Sequence, residues 1–268
     1  MTSLFAQARE CIDACDPDAK LVLTRATAQA WHAGALQTLE SVAPEAITVP
    51  GRPARPELVP PSQVVSRKLS SEAGRAALLH ALAHIEFNAI NLAWDAVYRF
   101  RSLPPAYYSD WVRVADEEAR HFTLLRKRLR SLGHDYGDYP AHNALWDMAC
   151  RTDHDVLVRM ALVPRVLEAR GLDVTPAMIE RLQRAGDTDS ARVLEIIYRD
   201  EIGHVEIGSR WYRYLCRQRK LDPLQTFHRL LAEYMHGRVR GPLNHEARQQ
   251  AGFGKDELEL LHEMSLEV

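Results

Sequence analysis

The feature that most constrains this sequence is a pair of Glu-x-x-His motifs, Glu118-Ala-Arg-His121 and Glu201-Ile-Gly-His204. Each motif lies within a long stretch of helix-forming residues that contains no proline. Residues three positions apart on an α-helix lie on the same face, one turn from each other. Each motif is therefore predicted to direct a carboxylate and an imidazole towards one metal ion.

Each motif is preceded, at a similar distance, by a further glutamate. Glu86 precedes Glu118 by 32 residues, and Glu168 precedes Glu201 by 33. The chain thus contains two similar halves, each with a Glu-bearing helix followed by a helix with Glu-x-x-His. Bundles of four helices build dinuclear carboxylate sites from this set of ligands. We therefore predict an all-α, ferritin-like four-helix bundle with additional N-terminal and C-terminal helices.

Apolar stripes at spacings of three and four residues predict where the bundle helices lie. In each stripe a metal-binding candidate replaces an apolar residue. Pro164 is expected to kink the third bundle helix, and Gly171 is expected to end it. The predicted bundle helices span about 72–101, 105–132, 153–170 and 188–218.

The remaining chain divides into three further regions. Residues 1–43 are predicted to form an N-terminal helical appendage, and residues 219–268 are predicted to form C-terminal helices that pack on the bundle at 72–218. The proline-rich stretch at 44–71 is predicted to be extended, since proline fixes φ and lacks an amide donor. It is expected to be either a packed strap or a linker.

Buried carboxylates require a counter-charge, because isolated charge in a protein interior is very unfavourable. Two divalent ions would balance the carboxylates of the predicted core, and oxygen-rich ligation favours iron or manganese over structural zinc. Asp155 and Glu180 remain alternatives to Glu168, which lies near a predicted helix end. His80 and His84 lie off the Glu86 stripe and are expected to have supporting or surface roles. The predicted metal ligands are Glu86, Glu118, His121, Glu168, Glu201 and His204.

Composition excludes several classes of function. The formal net charge of −2 does not favour binding to nucleic acid or to an anionic membrane. No stretch approaches 18 apolar residues, and the N-terminal residues do not form a signal peptide, so a cytoplasmic protein is expected. Four cysteines in 268 residues are too few for a disulfide framework. No nucleophilic triad, phosphate-binding glycine loop or His-Glu-x-x-His motif is present, so no catalytic residue is predicted beyond the metal centre.

Longer segments around these motifs resemble the ferritin-like superfamily and, more closely, a bacterial ferritin-like family of unknown function, domain of unknown function 455. The resemblance implies that Glu118 and Glu201 bridge two metals and that Glu86 and Glu168 are terminal ligands. It also implies that His121 and His204 each bind one ion. Glu168-Ala-Arg170 is similar to a motif of a tRNA hydroxylase that modifies a prenylated adenosine. The segments that carry the family resemblance are 116–122, 167–173, 199–204, 241–244 and 251–253.

The leading hypothesis is a di-iron oxidoreductase, with manganese possible, that activates dioxygen or peroxide and oxidises or hydroxylates an organic substrate. It would require a small-molecule substrate and an electron donor, and it would be a monomer or a small homo-oligomer. The alternatives are a metal-storage or peroxide-detoxifying ferritin-like protein and a tRNA-modifying hydroxylase. The near-neutral charge disfavours the tRNA enzyme.

Overall fold

A computed structural model describes residues 2–38, 43–64, 67–237 and 239–266. Residues 39–42 and 65–66, which fall in the predicted appendage and proline-rich stretch, lie outside the described residues. The described chain is helical, so the all-α class is confirmed. Its β structure is limited to a parallel pair, β1 (Thr2–Ser3) with β2 (Leu36–Gln37), and one isolated bridge. No described helix is long and apolar enough to cross a membrane.

The chain divides into two compact units, Met1–Asp153 and His154–Val268. The first unit contains α1 (Leu4–Asp13), α2 (Pro17–His32), α3 (Glu72–Arg99), α4 (Pro105–Ser131) and α5 (Ala144–Arg151). The second unit contains α6 (Val156–Leu162), a π-helical segment (Val163–Glu168), α7 (Ala169–Arg184), α8 (Thr188–Gln218), α9 (Pro223–Met235), α10 (His245–Gln250) and α11 (Lys255–Leu266).

Local signals explain the ends of α3 and α4. The Ser71 side chain accepts a hydrogen bond from the Gly74 amide and thereby caps α3. Pro105 occupies the first turn of α4, where its missing amide hydrogen has no intrahelical partner to lose. The chain leaves α4 at Gly133, whose φ of +77° is readily adopted by glycine. The observed bounds of both helices therefore lie within two residues of the predicted ones.

Helix α3 forms the centre of the first unit, where it packs along α4 and against α1, while α2 packs on α4. Every residue from Glu86 to Phe100 is buried. A helix that is buried on all sides must be covered by several elements. The first two helices therefore complete the core around α3 and α4.

The proline-rich segment packs against its unit where it is described. The Gly51 amide donates to the Ile12 carbonyl, and a Cβ added at Gly51 would lie 2.2 Å from the Asp13 carbonyl oxygen. Further along, the Val59 amide donates to the Ala141 carbonyl, and the Ala141 amide donates to the Glu57 carbonyl. These contacts hold the described part of this segment against its unit.

The third predicted bundle helix differs from expectation in the second unit. The π-helical segment begins next to Pro164, where the sequence predicts a kink. Gly171, however, does not end the helix, since α7 continues through it and through Pro176 to Arg184. Asp173 accepts two hydrogen bonds from Arg248, and this tertiary contact holds α7 in place. That contact offsets the modest intrinsic cost of a glycine in a helix, about 1 kcal/mol.

Candidate metal centre

Helices α3 and α4 bring together three of the predicted ligands in the first unit. His121 Nδ1 lies 3.3 Å from Glu86 Oε2 and 3.4 Å from Glu118 Oε2. The exposed fractions of Glu86, Glu118 and His121 are 5%, 1% and 0%. One ligand atom from each residue lies within 4.8 Å of the others. Two carboxylates and one imidazole thus converge in the interior, and this cluster could hold a metal ion.

The electrostatics of the cluster show that its two carboxylates require positive charge beside them. Burial raises the pKa of Glu86 well above its usual value, and the nearby Glu118 carboxylate raises it further. Burial lowers the pKa of His121, but the hydrogen bond with Glu118 and the proximity of the Glu118 and Glu86 carboxylates outweigh this effect and raise it to about 11. In the metal-free protein, protons therefore supply the charge that balances the two carboxylates. A metal cation would supply the same charge.

The surroundings of one carboxylate oxygen indicate whether a cation would fit in the cluster. Glu86 Oε2 is inaccessible to solvent, and among the described residues it accepts no hydrogen bond of good geometry. A buried carboxylate oxygen without such a donor is unfavourable, because the hydrogen bonds it made with water are not replaced. Coordination to a cation would compensate for this loss.

The second Glu-x-x-His motif folds in the same way in the second unit. On α8, His204 Nδ1 lies 3.3 Å from Glu201 Oε1. The corresponding distance on α4, from His121 Nδ1 to Glu118 Oε2, is 3.4 Å. His204 is 1% exposed, and the Glu201 side chain is 14% exposed. Both motifs therefore direct Nδ1 of the histidine towards the glutamate one turn earlier.

Glu168 is the last residue of the π-helical segment, and it is half-buried. The two alternative residues are engaged elsewhere. Asp155 caps α6 by accepting from the Leu157 amide, and it also binds Arg219 at 2.6 Å. Glu180 forms an exposed ion pair with Arg184. These contacts leave Glu168 as the better candidate in this half of the chain.

His80 and His84 have a role that the apolar stripe did not reveal. His84 Nε2 lies 3.0 Å from the His142 carbonyl oxygen and thus carries the hydrogen, while Nδ1 accepts from the Tyr136 hydroxyl at 2.9 Å. The Gly137 amide donates to His80 Nε2. Both histidines are buried, so surface positions for them were wrong. They lie off the stripe because α3 is covered on more than one face.

The loop that these histidines hold covers the residues next to the cluster. The Tyr136 ring packs against Phe87 and Phe122, with ring centroids 5.4 and 5.1 Å apart. Phe87 follows Glu86 in the sequence, and Phe122 follows His121. These rings therefore pack the loop against helices α3 and α4. No pattern of period 3.6 could have identified Tyr136, because it lies in a loop.

The cysteines do not add to the site. All four are free thiols, and Cys11 is buried with its sulfur 3.5 Å from the Thr27 hydroxyl. Cys15 is exposed at the end of α1. Neither belongs to the group of potential metal ligands found among the described residues.

Comparisons with known proteins confirm the resemblance to the family of unknown function. A family model described as "Protein of unknown function (DUF455)" matches residues 13–259. An "Uncharacterized protein" of Haemophilus influenzae is 49% identical over 219 residues, which cover 79% of this chain and 76% of that protein. No solved structure matches the chain significantly.

Proposed function

This chain belongs to the family described as "Protein of unknown function (DUF455)", and we propose that it is a ferritin-like di-iron or di-manganese carboxylate protein. In this proposal residues 72–218 form the four-helix bundle, residues 1–43 an N-terminal helical appendage, residues 44–71 a strap or linker, and residues 219–268 C-terminal helices that pack on the bundle. The observation that carries the proposal is the buried cluster of Glu86, Glu118 and His121. Its two carboxylates need a counter-charge that a metal ion would provide.

The proposed centre takes the same ligand set from each half of the chain. Glu118 and Glu201 would be shared between the two ions, and a further glutamate and a histidine would hold each ion. The equal Nδ1 geometry of the two Glu-x-x-His motifs supports this assignment. The proposed ligands are Glu86, Glu118 and His121 from the first half, and Glu168, Glu201 and His204 from the second.

Iron is the proposed metal, with manganese as the alternative. A site with four carboxylates and two imidazoles is rich in hard oxygen donors, which suit iron or manganese better than the thiolate sites of structural zinc do. The four cysteines stay free as thiols and lie outside the ligand set, which fits a protein that works in the reducing cytoplasm.

We propose an oxidoreductase that oxidises or hydroxylates a small organic molecule. When bound, two iron ions supply the redox chemistry that activates dioxygen or peroxide. The chain contributes the buried carboxylates and imidazoles that hold the ions. Burial of Glu86, Glu118 and His121 limits the access of water to these ligands. An electron donor completes the proposed set of partners.

Metal stoichiometry tests the proposal. The chain is stripped with a chelator, titrated anaerobically with Mn²⁺ in a calorimeter, and analysed for bound metal by mass spectrometry. We expect two ions per chain, and we expect that Glu118→Ala and His204→Ala will abolish stoichiometric binding while the far-ultraviolet circular dichroism stays helical. Glu206→Gln is the matched control, because Glu206 lies on α8 but pairs with Arg210. Full metal retention in both ligand variants would contradict the assignment.

Two further measurements separate the proposed enzyme from its alternatives. The iron-loaded chain should consume dioxygen when a reductant is supplied, and a lack of uptake would leave a metal-binding protein without oxidase activity. Size-exclusion chromatography should give a monomer or a small oligomer, whereas a 12-mer or 24-mer would favour metal storage or peroxide detoxification. Binding of tRNA at low salt would instead favour the nucleic-acid-modifying alternative.

A further inference from the structure

The π-helical segment that carries Glu168 is held by a fully buried arginine. Arg165 is 0% exposed, and its Nη2 donates to Glu257 Oε1 of α11 at 2.5 Å. Its Nε donates to the Ser209 hydroxyl of α8 at 3.3 Å. A buried guanidinium is tolerated where a carboxylate neutralises it and hydrogen bonds satisfy it. The carboxylate that neutralises Arg165 comes from the C-terminal region.

Three aromatic rings surround the same guanidinium. Its central carbon lies 4.5 Å from the Tyr212 ring centroid, 4.2 Å from that of Phe227 and 4.6 Å from that of Phe253. At these distances each ring face attracts the cation. Because Phe227 belongs to α9 and Phe253 precedes α11, the C-terminal region supplies most of the environment of Arg165.

A second set of contacts holds the chain just after Glu168. Arg170 donates to the carbonyl oxygens of residues 240–242 at 3.0 to 3.2 Å. Asp173, one turn later, accepts from Arg248 Nε and Nη2, both at 2.8 Å, and from the Asn244 amide at 2.9 Å. The Arg248 and Asp173 side chains are 3% and 0% exposed, so this pair is buried as well. The C-terminal region thus holds the backbone on both sides of Glu168.

The π-helical segment also has no freedom to approach α8 more closely. A Cβ added at Gly208 would lie 2.3 Å from Pro164 Cγ, so the two elements already touch at this point. Gly208 lies four residues after His204, and Pro164 lies four residues before Glu168. Contact with α8 and contacts with the C-terminal region together define where Glu168 lies within its unit.

We propose that residues 240–257 are a positioning element for the metal ligand Glu168, acting through Arg165, Arg170 and Asp173. The inference rests on the proposed function, because it takes Glu168 as a ligand. A metal site tolerates displacements of only a few tenths of an ångström in a ligand. Loosening the C-terminal contacts should therefore weaken the binding of the ion that Glu168 holds. The ion held by Glu86, Glu118 and His121 should be retained.

Glu257→Gln tests this role with an almost unchanged side-chain shape, because it removes the charge that neutralises Arg165. Glu259→Gln is the matched control on the same helix, since Glu259 is 63% exposed and lies 3.8 Å from Lys255. Both variants and the wild-type chain are titrated with Mn²⁺. Amide hydrogen exchange of residues 163–170 is followed in the metal-free proteins.

We expect Glu257→Gln to bind one of the two ions at least tenfold more weakly and to exchange faster at residues 163–170, while Glu259→Gln matches the wild type. If Glu257 had only a structural role, Glu257→Gln would lower the melting temperature but would not weaken the binding of one ion selectively. If Glu257→Gln does not fold, Arg170→Gln is the second variant, with the exposed Arg184→Gln on α7 as its control.

The outcomes separate this inference from the proposed function. A wild-type chain that binds no Mn²⁺ would refute the proposed function and the inference that rests on it. A wild-type chain that binds two ions, together with a folded Glu257→Gln variant that binds both with unchanged affinity, would overturn the positioning role alone. Unchanged exchange at residues 163–170 in that variant would also overturn it.

Discussion

Replacing Glu86 with glutamine should weaken metal binding while leaving the stability of the metal-free protein almost unchanged. Glu86 is buried, and its ligand oxygen lies within 4.8 Å of a Glu118 ligand oxygen. Two unit charges at that distance repel by about 3.5 kcal/mol at an effective dielectric constant of about 20. Burial and this repulsion together raise the pKa of Glu86 well above its usual value, which favours the neutral, protonated carboxyl in the metal-free protein. Glutamine is a neutral side chain of nearly the same shape.

The expected magnitudes differ between the metal-free and the metal-bound protein. Without metal, Glu86→Gln should change the free energy of unfolding by less than about 1 kcal/mol, which corresponds to less than about 4 °C in melting temperature. Metal at about 100 times its dissociation constant stabilises a protein by about 2.7 kcal/mol, or about 5–10 °C here. The wild-type chain should show this increase, and Glu86→Gln should lose most of it because a ligand is missing.

Differential scanning calorimetry with chelator and with Mn²⁺ measures both effects. Glu72→Gln is the control, since Glu72 is an exposed residue in the first turn of the same helix. If Glu86 were instead ionised and paired with His121, its loss would break a buried ion pair and cost about 3–5 kcal/mol without metal. A decrease of about 10 °C or more in the metal-free variant would therefore refute the reasoning, as would an undiminished increase with Mn²⁺.

Two other predictions concern stability. Gly208→Ala should destabilise the protein by about 1–3 kcal/mol, because the added Cβ would lie 2.3 Å from the Pro164 ring. A Cβ added at Gly203 on the same helix would meet nothing within 4 Å, so Gly203→Ala should stabilise the protein by about 0.5–1 kcal/mol. Urea unfolding should therefore give changes in unfolding free energy of opposite sign for the two variants. Burial lowers the pKa of His80 and of His84 from 6.5 to about 4. Between these values the unfolded chain binds protons that the folded chain does not, so the contribution of these two histidines to stability should be full above pH 6.5 and fall as the pH falls to 4, by at most about 3 kcal/mol per histidine. Unfolding free energies that stay constant between pH 7 and 5, in the wild type and in His84→Gln alike, would contradict this prediction.

The helices that carry the Glu-x-x-His motifs could be predicted because their signals are local. Pro105 and Gly133 act on the two ends of α4, and the apolar spacing within α4 and α8 defines an inner face. A three-residue separation on a helix sets the relation between glutamate and histidine regardless of the surroundings. The predicted and observed bounds therefore agree closely in both helices.

The C-terminal region was predicted less completely. The sequence predicts C-terminal helices within residues 219–268, and α9 and α11 lie in that range. Helix α10 (His245–Gln250) was missed, because six residues are too few for a clear apolar period. Asn244, a residue type that often caps helices, directly precedes α10, and its side chain accepts a hydrogen bond from the Ala247 amide. That signal alone could have indicated a helix start.

The sequence by itself determined that the chain is helical and that each half presents a glutamate and a histidine on one helix face, since both properties depend on neighbours within a few residues. Tertiary structure decided that α7 continues through Gly171 and Pro176, and that His80 and His84 are buried. Those outcomes depend on residues distant in the chain, such as Arg248 and Tyr136, whose contacts outweigh local preference. Local pattern therefore predicts the ligands of the candidate site, but only packing reveals what holds them in place.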